Sequence, residues 1–124
     1  NRLDMKKLFG FIAFSLLFLT ACRKSDIGPG YIDESQWLQK ERAVVVFADY
    51  SCNYFVIETR NGYAILENWS LRPFNGDVLY GDFSHWGPAQ VYNRTRGSLM
   101  QVNVRDFWLS YYEAEDRIYN YCSP

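Results

Sequence analysis

The chain contains a single histidine, His85, in 124 residues. A Ser-His-Asp or Cys-His arrangement would have to use it. It lies in Ser84-His85-Trp86-Gly87-Pro88, a turn-like stretch in which Ser84 is only a neighbour in sequence. No His or Cys stands at zinc-like spacing from it, so the sequence assigns no catalytic residue, metal site or cofactor, and the expectation is a protein that is not an enzyme. A basic excess is also missing, with 13 Lys plus Arg against 14 Asp plus Glu. Nucleic-acid binders carry a basic patch or stripe, so this balance speaks against nucleic acid as a partner. The longest apolar run, Leu8 to Leu19, has about 12 residues, whereas a membrane-spanning helix needs about 20. Cysteine is scarce, with only Cys22, Cys52 and Cys122, and no Cys-x-x-Cys spacing occurs.

What the chain does have begins at Met5-Lys6-Lys7, a short basic region ahead of the apolar run, which together have the build of a secretory signal. Leu19-Thr20-Ala21-Cys22 closes that run, and it resembles the lipobox of bacterial lipoproteins. The resemblance implies cleavage before Cys22, lipidation of its thiol, and acylation, with palmitate for example, of the amine so exposed. Its membrane partner would be reached through Cys22. A plain secretory signal with a chance cysteine is the other reading. One acyl chain binds membranes marginally and two or more give a stable anchor. The expected location is the bacterial cell envelope, on the outer membrane, with the periplasmic or surface face left open. Residues 1–4 precede the signal as upstream residues or an artificial extension, 5–21 form the signal peptide, 22–36 a lipidated tether around Gly28-Pro29-Gly30, and 37–124 a single domain.

With Cys22 set aside, Cys52 and Cys122 form an even pair in a chain bound for an oxidising compartment, and a structural disulfide is expected. Closing a loop of about 70 residues stabilises by about 4 kcal/mol in the chain-entropy model. Two free thiols or a redox pair is the alternative.

The rest of the chain reads as short strands. Ala43 to Ala48, Asn53 to Arg60, Tyr63 to Asn68, Asp77 to Phe83, Val91 to Thr95 and Leu99 to Arg105 carry β-branched and aromatic residues or clean alternation. Asn61-Gly62 predicts a type I′ hairpin turn with positive φ at both positions. Ser84 to Pro88 reads as a turn, and Gly81 as a bulge or a point of close packing. Ser110-x-x-Glu113 has the spacing of a capping box, predicting two helical turns from Tyr111 to Ile118, with Tyr119 to Cys122 extended again. The expected fold is all-β with minor α, a small antiparallel OB-like barrel of five to six strands with a short C-terminal helix. It resembles the small β domains of Bacteroidota lipoproteins, including the N-terminal barrel of NigD-like proteins.

Aromatic residues are the unusual surplus, at 19% of the chain. Phe47, Phe55, Phe83 and Phe107 are expected in the core. Trp69, Phe74 and Trp86 fall in predicted loops, where they either pack over a barrel end or bind a glycan or protein partner. A glycan- or protein-binding accessory domain is the leading expectation for function. A periplasmic inhibitor of a lysozyme-like enzyme and a small hydrolase are the alternatives.

Overall fold

Ala43 and Val45, Phe55 and Ile57, Ala64 and Leu66, and Met100, Val102 and Val104 each recur at every second position, which in a strand sends them to one face. In the computed structural model, which describes residues 32–123, that face is the inside of a barrel. The basic region, the apolar run, Cys22 and the early part of the tether lie outside the described residues.

Six strands build the barrel: β1 (Glu41–Phe47), β2 (Tyr54–Thr59), β3 (Gly62–Asn68), β4 (Val78–Gly81), β5 (Gly87–Asn93) and β6 (Ser98–Leu109). They close in the order β1-β2-β3-β6-β5-β4, with β4 returning to β1 and every pair antiparallel. Closure leaves no open sheet edge in the ring. The fold is thus the small all-β antiparallel barrel expected, with six strands. Because consecutive strands alternate in direction, one end collects the start of β1, the β2–β3 turn, the β4–β5 loop and the end of β6. The opposite end collects the β1–β2 loop, the β3–β4 connection and the β5–β6 turn.

The helix α1 (Tyr111–Cys122) runs along the outside of the barrel. Its capping box forms as expected: Glu113 N donates to Ser110 Oγ at 3.2 Å, and Ser110 N donates to Glu113 Oε1 at 3.0 Å. Ala114 and Ile118 bury against Val56, Ile65 and Leu109 to make a second, smaller core outside the barrel. Tyr119 to Cys122 is helical rather than extended. The extra turn is held by Tyr121, which stacks on Tyr54 at 4.6 Å between centroids, and by the Cys52–Cys122 disulfide, with Cα atoms 5.3 Å apart.

Four further expectations are corrected. The hairpin is not a type I′ turn with positive φ at both Asn61 and Gly62, because Asn61 keeps a negative φ and only Gly62, at +117°, is positive. Thr59 closes this turn locally, taking a hydrogen bond from Asn61 N and donating to Gly62 O. Phe47 faces outward, 36% exposed, because β1 carries a bulge between Val45 and Phe47 that sets Phe47 opposite Val56. β5 starts at Gly87 rather than Val91, with Pro88 paired to Asn103 and its missing N–H tolerated in the ladder. β6 runs four residues past Arg105, through two irregularities. Gly81 proves a point of close packing: a Cβ there would stand 3.2 Å from Val91 Cγ2.

Candidate functional site

The irregular end of β6 builds the site. From Met100 to Val104 the strand alternates cleanly, and the next inward position would be Asp106. A carboxylate in an apolar barrel would be costly to desolvate. The strand instead slips: one step on β3, Ile65 to Leu66, spans two on β6, and two steps from Tyr63 to Ile65 span three. Asp106 is thereby turned outward, where it accepts hydrogen bonds from Arg117 at 2.7 Å and Tyr121 at 3.1 Å and ties α1 down. The same slip sends Phe107 toward the barrel interior and leaves Trp108 on the outside, 63% exposed.

Trp108 has φ +59°, alone among the described non-glycine residues in having a positive value. For a bulky side chain this left-handed conformation costs on the order of 1–3 kcal/mol, and such strain concentrates where geometry serves a function. The backbone is also held from the side, since a Cβ on Gly62 would stand 2.7 Å from Leu109 O. Only glycine lets the hairpin and the slipped strand approach so closely.

Phe107 stands between two tryptophans. Its ring centroid is 4.9 Å from that of Trp86, tilted by 55°, and 5.4 Å from that of Trp108, perpendicular to it. Trp86, in the β4–β5 loop, is 72% exposed. Three aromatic rings thus form one surface at the hairpin end of the barrel. A chain of polar groups runs beside it. Trp108 Nε1 donates to Ser84 Oγ at 3.0 Å, Ser84 Oγ donates to Glu41 Oε1 at 3.1 Å, and Asn61 Nδ2 donates to Glu41 Oε2 at 2.9 Å. These bonds join β1, the β2–β3 turn, the β4–β5 loop and β6. Ser84 engages Glu41 and Trp108, while His85 Nε2 pairs with Asp82 Oδ2 at 2.8 Å. The Asp82 carboxylate, by hydrogen bond and charge, raises the His85 pKa above its ordinary value. Among the described residues, no three His, Cys, Asp or Glu side chains converge to hold a metal ion.

The three residues singled out by sequence do not come together. Trp86 belongs to this surface. Trp69 and Phe74 lie in the β3–β4 connection, at the opposite end. Phe74 lies under the guanidinium of Arg96, at 3.7 Å from the ring centroid, a cation–π contact that accounts for its exposure. Arg96 in turn reaches Asp77, a buried carboxylate that also accepts from Asn93 Nδ2 at 2.9 Å and Phe74 N at 3.0 Å. Burial opposes the Asp77 charge, but these donors outweigh it and hold the carboxyl below its ordinary pKa. That end holds a buried polar cluster around Asp77 and Asn93, while Tyr50, Trp69 and Leu71 stay exposed on its loops.

Phe107, Trp108, Glu41, Ser84 and Asn61 are site residues that loop-based reasoning did not select. The signal for the first two was a phase error: Asp106 falls where alternation demands an apolar residue, so the strand must slip there. Glu41, Ser84 and Asn61 carry no such signal, because their meeting depends on which strand ends share one end of the barrel. Compared with known proteins, the chain matches no family model, no curated protein and no solved structure.

Proposed function

We propose that the protein is a lipoprotein anchored in the cell envelope through Cys22, whose barrel binds a glycan at the surface formed by Trp86, Phe107 and Trp108. The observation that carries the binding reading is the pair of exposed tryptophans flanking Phe107, Trp108 on a strained backbone, beside a hydrogen-bonded carboxylate. A sugar ring offers an apolar face of C–H groups rimmed by hydroxyls. Aromatic faces accept the former, and a few convergent polar groups orient the latter. A carboxylate is a pure acceptor with about four lone-pair sites, so Glu41 keeps capacity for sugar hydroxyls beyond its bonds to Ser84 and Asn61. Asp82 and His85 add a polar edge beside Trp86.

Calorimetric titration with cello-, chito-, xylo- and mannohexaose and with soluble peptidoglycan fragments tests this. At least one class should bind, and Trp86→Ala and Trp108→Ala should each weaken it at least tenfold, while Trp69→Ala leaves it unchanged. Failure of every saccharide to bind would end the glycan reading. The anchor is tested separately: Cys22→Ser should abolish lipid labelling and membrane retention, and normal processing with undiminished retention would refute it.

A further inference from the structure

A second surface lies on the flank of the barrel, apart from the tryptophans. Between β1 and α1 runs a groove of about 360 Å³ over β2 and β3. The bulge in β1 makes it. Without the extra residue, Val46 and Phe47 would point to opposite faces; with it, both are turned toward solvent, at 43% and 36% exposure. Bulges commonly re-aim side chains beside functional sites. Val46 and Phe47 form one wall, Tyr111, Ala114 and Ile118 the other, and Val56 and Tyr63 the floor.

The charge in this groove has one sign. Glu115 is the charged residue on its lining; Glu58, which accepts from the Tyr63 hydroxyl at 3.3 Å, lines an adjoining hollow with Lys40, Arg42 and Arg60. No Lys or Arg lines the groove, and among the described residues Glu115 is in no ion pair. A carboxylate on an apolar cleft with no cation on its lining complements a ligand that is apolar and cationic together. The length also selects. From Tyr111 to Ile118 the helix wall is about 10 Å long at 1.5 Å per residue. An extended segment of about three residues spans that length and sends side chains i and i+2 into one face.

We propose that this groove docks an extended segment of a partner protein carrying two apolar side chains at i and i+2 among Lys or Arg residues. This docking is independent of the glycan site. The test is fluorescence polarisation with labelled pentapeptides and the full chain in neutral lipid nanodiscs, with empty nanodiscs as the blank. Lys-Phe-Lys-Leu-Lys should bind at least tenfold more tightly than either Glu-Phe-Glu-Leu-Glu or Lys-Ser-Lys-Ser-Lys. Val46→Lys, at a site exposed enough to keep the fold, should weaken it at least tenfold. Glu115→Lys should weaken it and strengthen the acidic peptide. Equal binding of the serine peptide would mean charge attraction alone, and equal binding of the acidic peptide would mean apolar contact alone. Either result overturns the proposal, as does failure of Lys-Phe-Lys-Leu-Lys to bind. Self-association that Val46→Lys abolishes would give the groove to a second copy of this chain and equally overturn it.

Discussion

Trp108 holds its ring outside the barrel only by adopting φ +59°. Glycine in a strand interior is ordinarily less stable than alanine by about 0.5–1 kcal/mol. At position 108 the order should invert, because a left-handed φ costs a residue with a Cβ about 1–2 kcal/mol and glycine nothing. Denaturant unfolding should therefore find Trp108→Gly more stable than Trp108→Ala by about 1 kcal/mol, with both variants defective in ligand binding. The usual order would show that the backbone is unstrained there. Asp77 is the contrasting residue, buried with three donors and no strain. Asp77→Ala leaves the buried Asn93 amide only the weak Met100 sulfur acceptor at 3.8 Å and should cost about 2–3 kcal/mol. Because its folded pKa is depressed, the stability that its charge contributes is present above the ordinary carboxylate value and is lost as pH falls through the lower folded value. Comparing unfolding at neutral and acid pH should show this slope in the parent and a smaller one in Asp77→Asn. His85 titrates with the opposite sign. Its pKa is raised by Asp82, so what the pair contributes is present below the ordinary histidine value of 6.5 and lost as pH rises through the folded one. Asp82→Asn should bring the His85 NMR titration midpoint down.

The helix α1 shows how element and sequence relate. Its start was legible because capping is local: Ser110 and Glu113 satisfy each other's backbone donors whatever the rest of the chain does. Its end was not, because the last turn is held by Tyr54 and Cys52, more than 60 residues away in sequence. Ser110→Ala should cost about 1 kcal/mol, measured by thermal unfolding, and no change would mean that tertiary contacts alone hold the helix start. The strands divide in the same way. β2 and β3 were readable as apolar runs flanking Asn61-Gly62, and the first part of β6 from its alternation. β5 was missed at its start because Gly87-Pro88 has the composition of a turn, and only pairing with Val104 and Asn103 makes it a strand. Trp86 was visible as an exposed loop aromatic. Its partners on β6 were hidden by the slip at Asp106, and Trp69 and Phe74 were grouped with it although topology puts them at the far end.

At the scale of the whole molecule, the disulfide joins the first loop of the barrel to the end of the last element, across 70 residues. Reduction, or Cys122→Ser, should cost about 4 kcal/mol in the chain-entropy model. The melting temperature should then fall by well over 10 °C at about 4–8 °C per kcal/mol. The bridge lies toward the end of the barrel opposite the aromatic trio, so the variant, while folded, should retain binding at Trp86 and Trp108. That division of labour, one end stapled by the disulfide and the Asp77 cluster and the other binding through Trp86 and Trp108, is the central claim. The chain's four tryptophans allow a direct measurement, because Trp86 and Trp108 lie on the proposed surface, while Trp69 lies at the opposite end and Trp37 packs on Tyr92 at 6.1 Å between centroids. Titrating the ¹⁵N-labelled protein with the bound saccharide should shift the indole N–H signals of Trp86 and Trp108 in a saturable way and leave those of Trp37 and Trp69 in place. Saturable shifts at Trp69 with Trp86 and Trp108 unmoved would contradict the account.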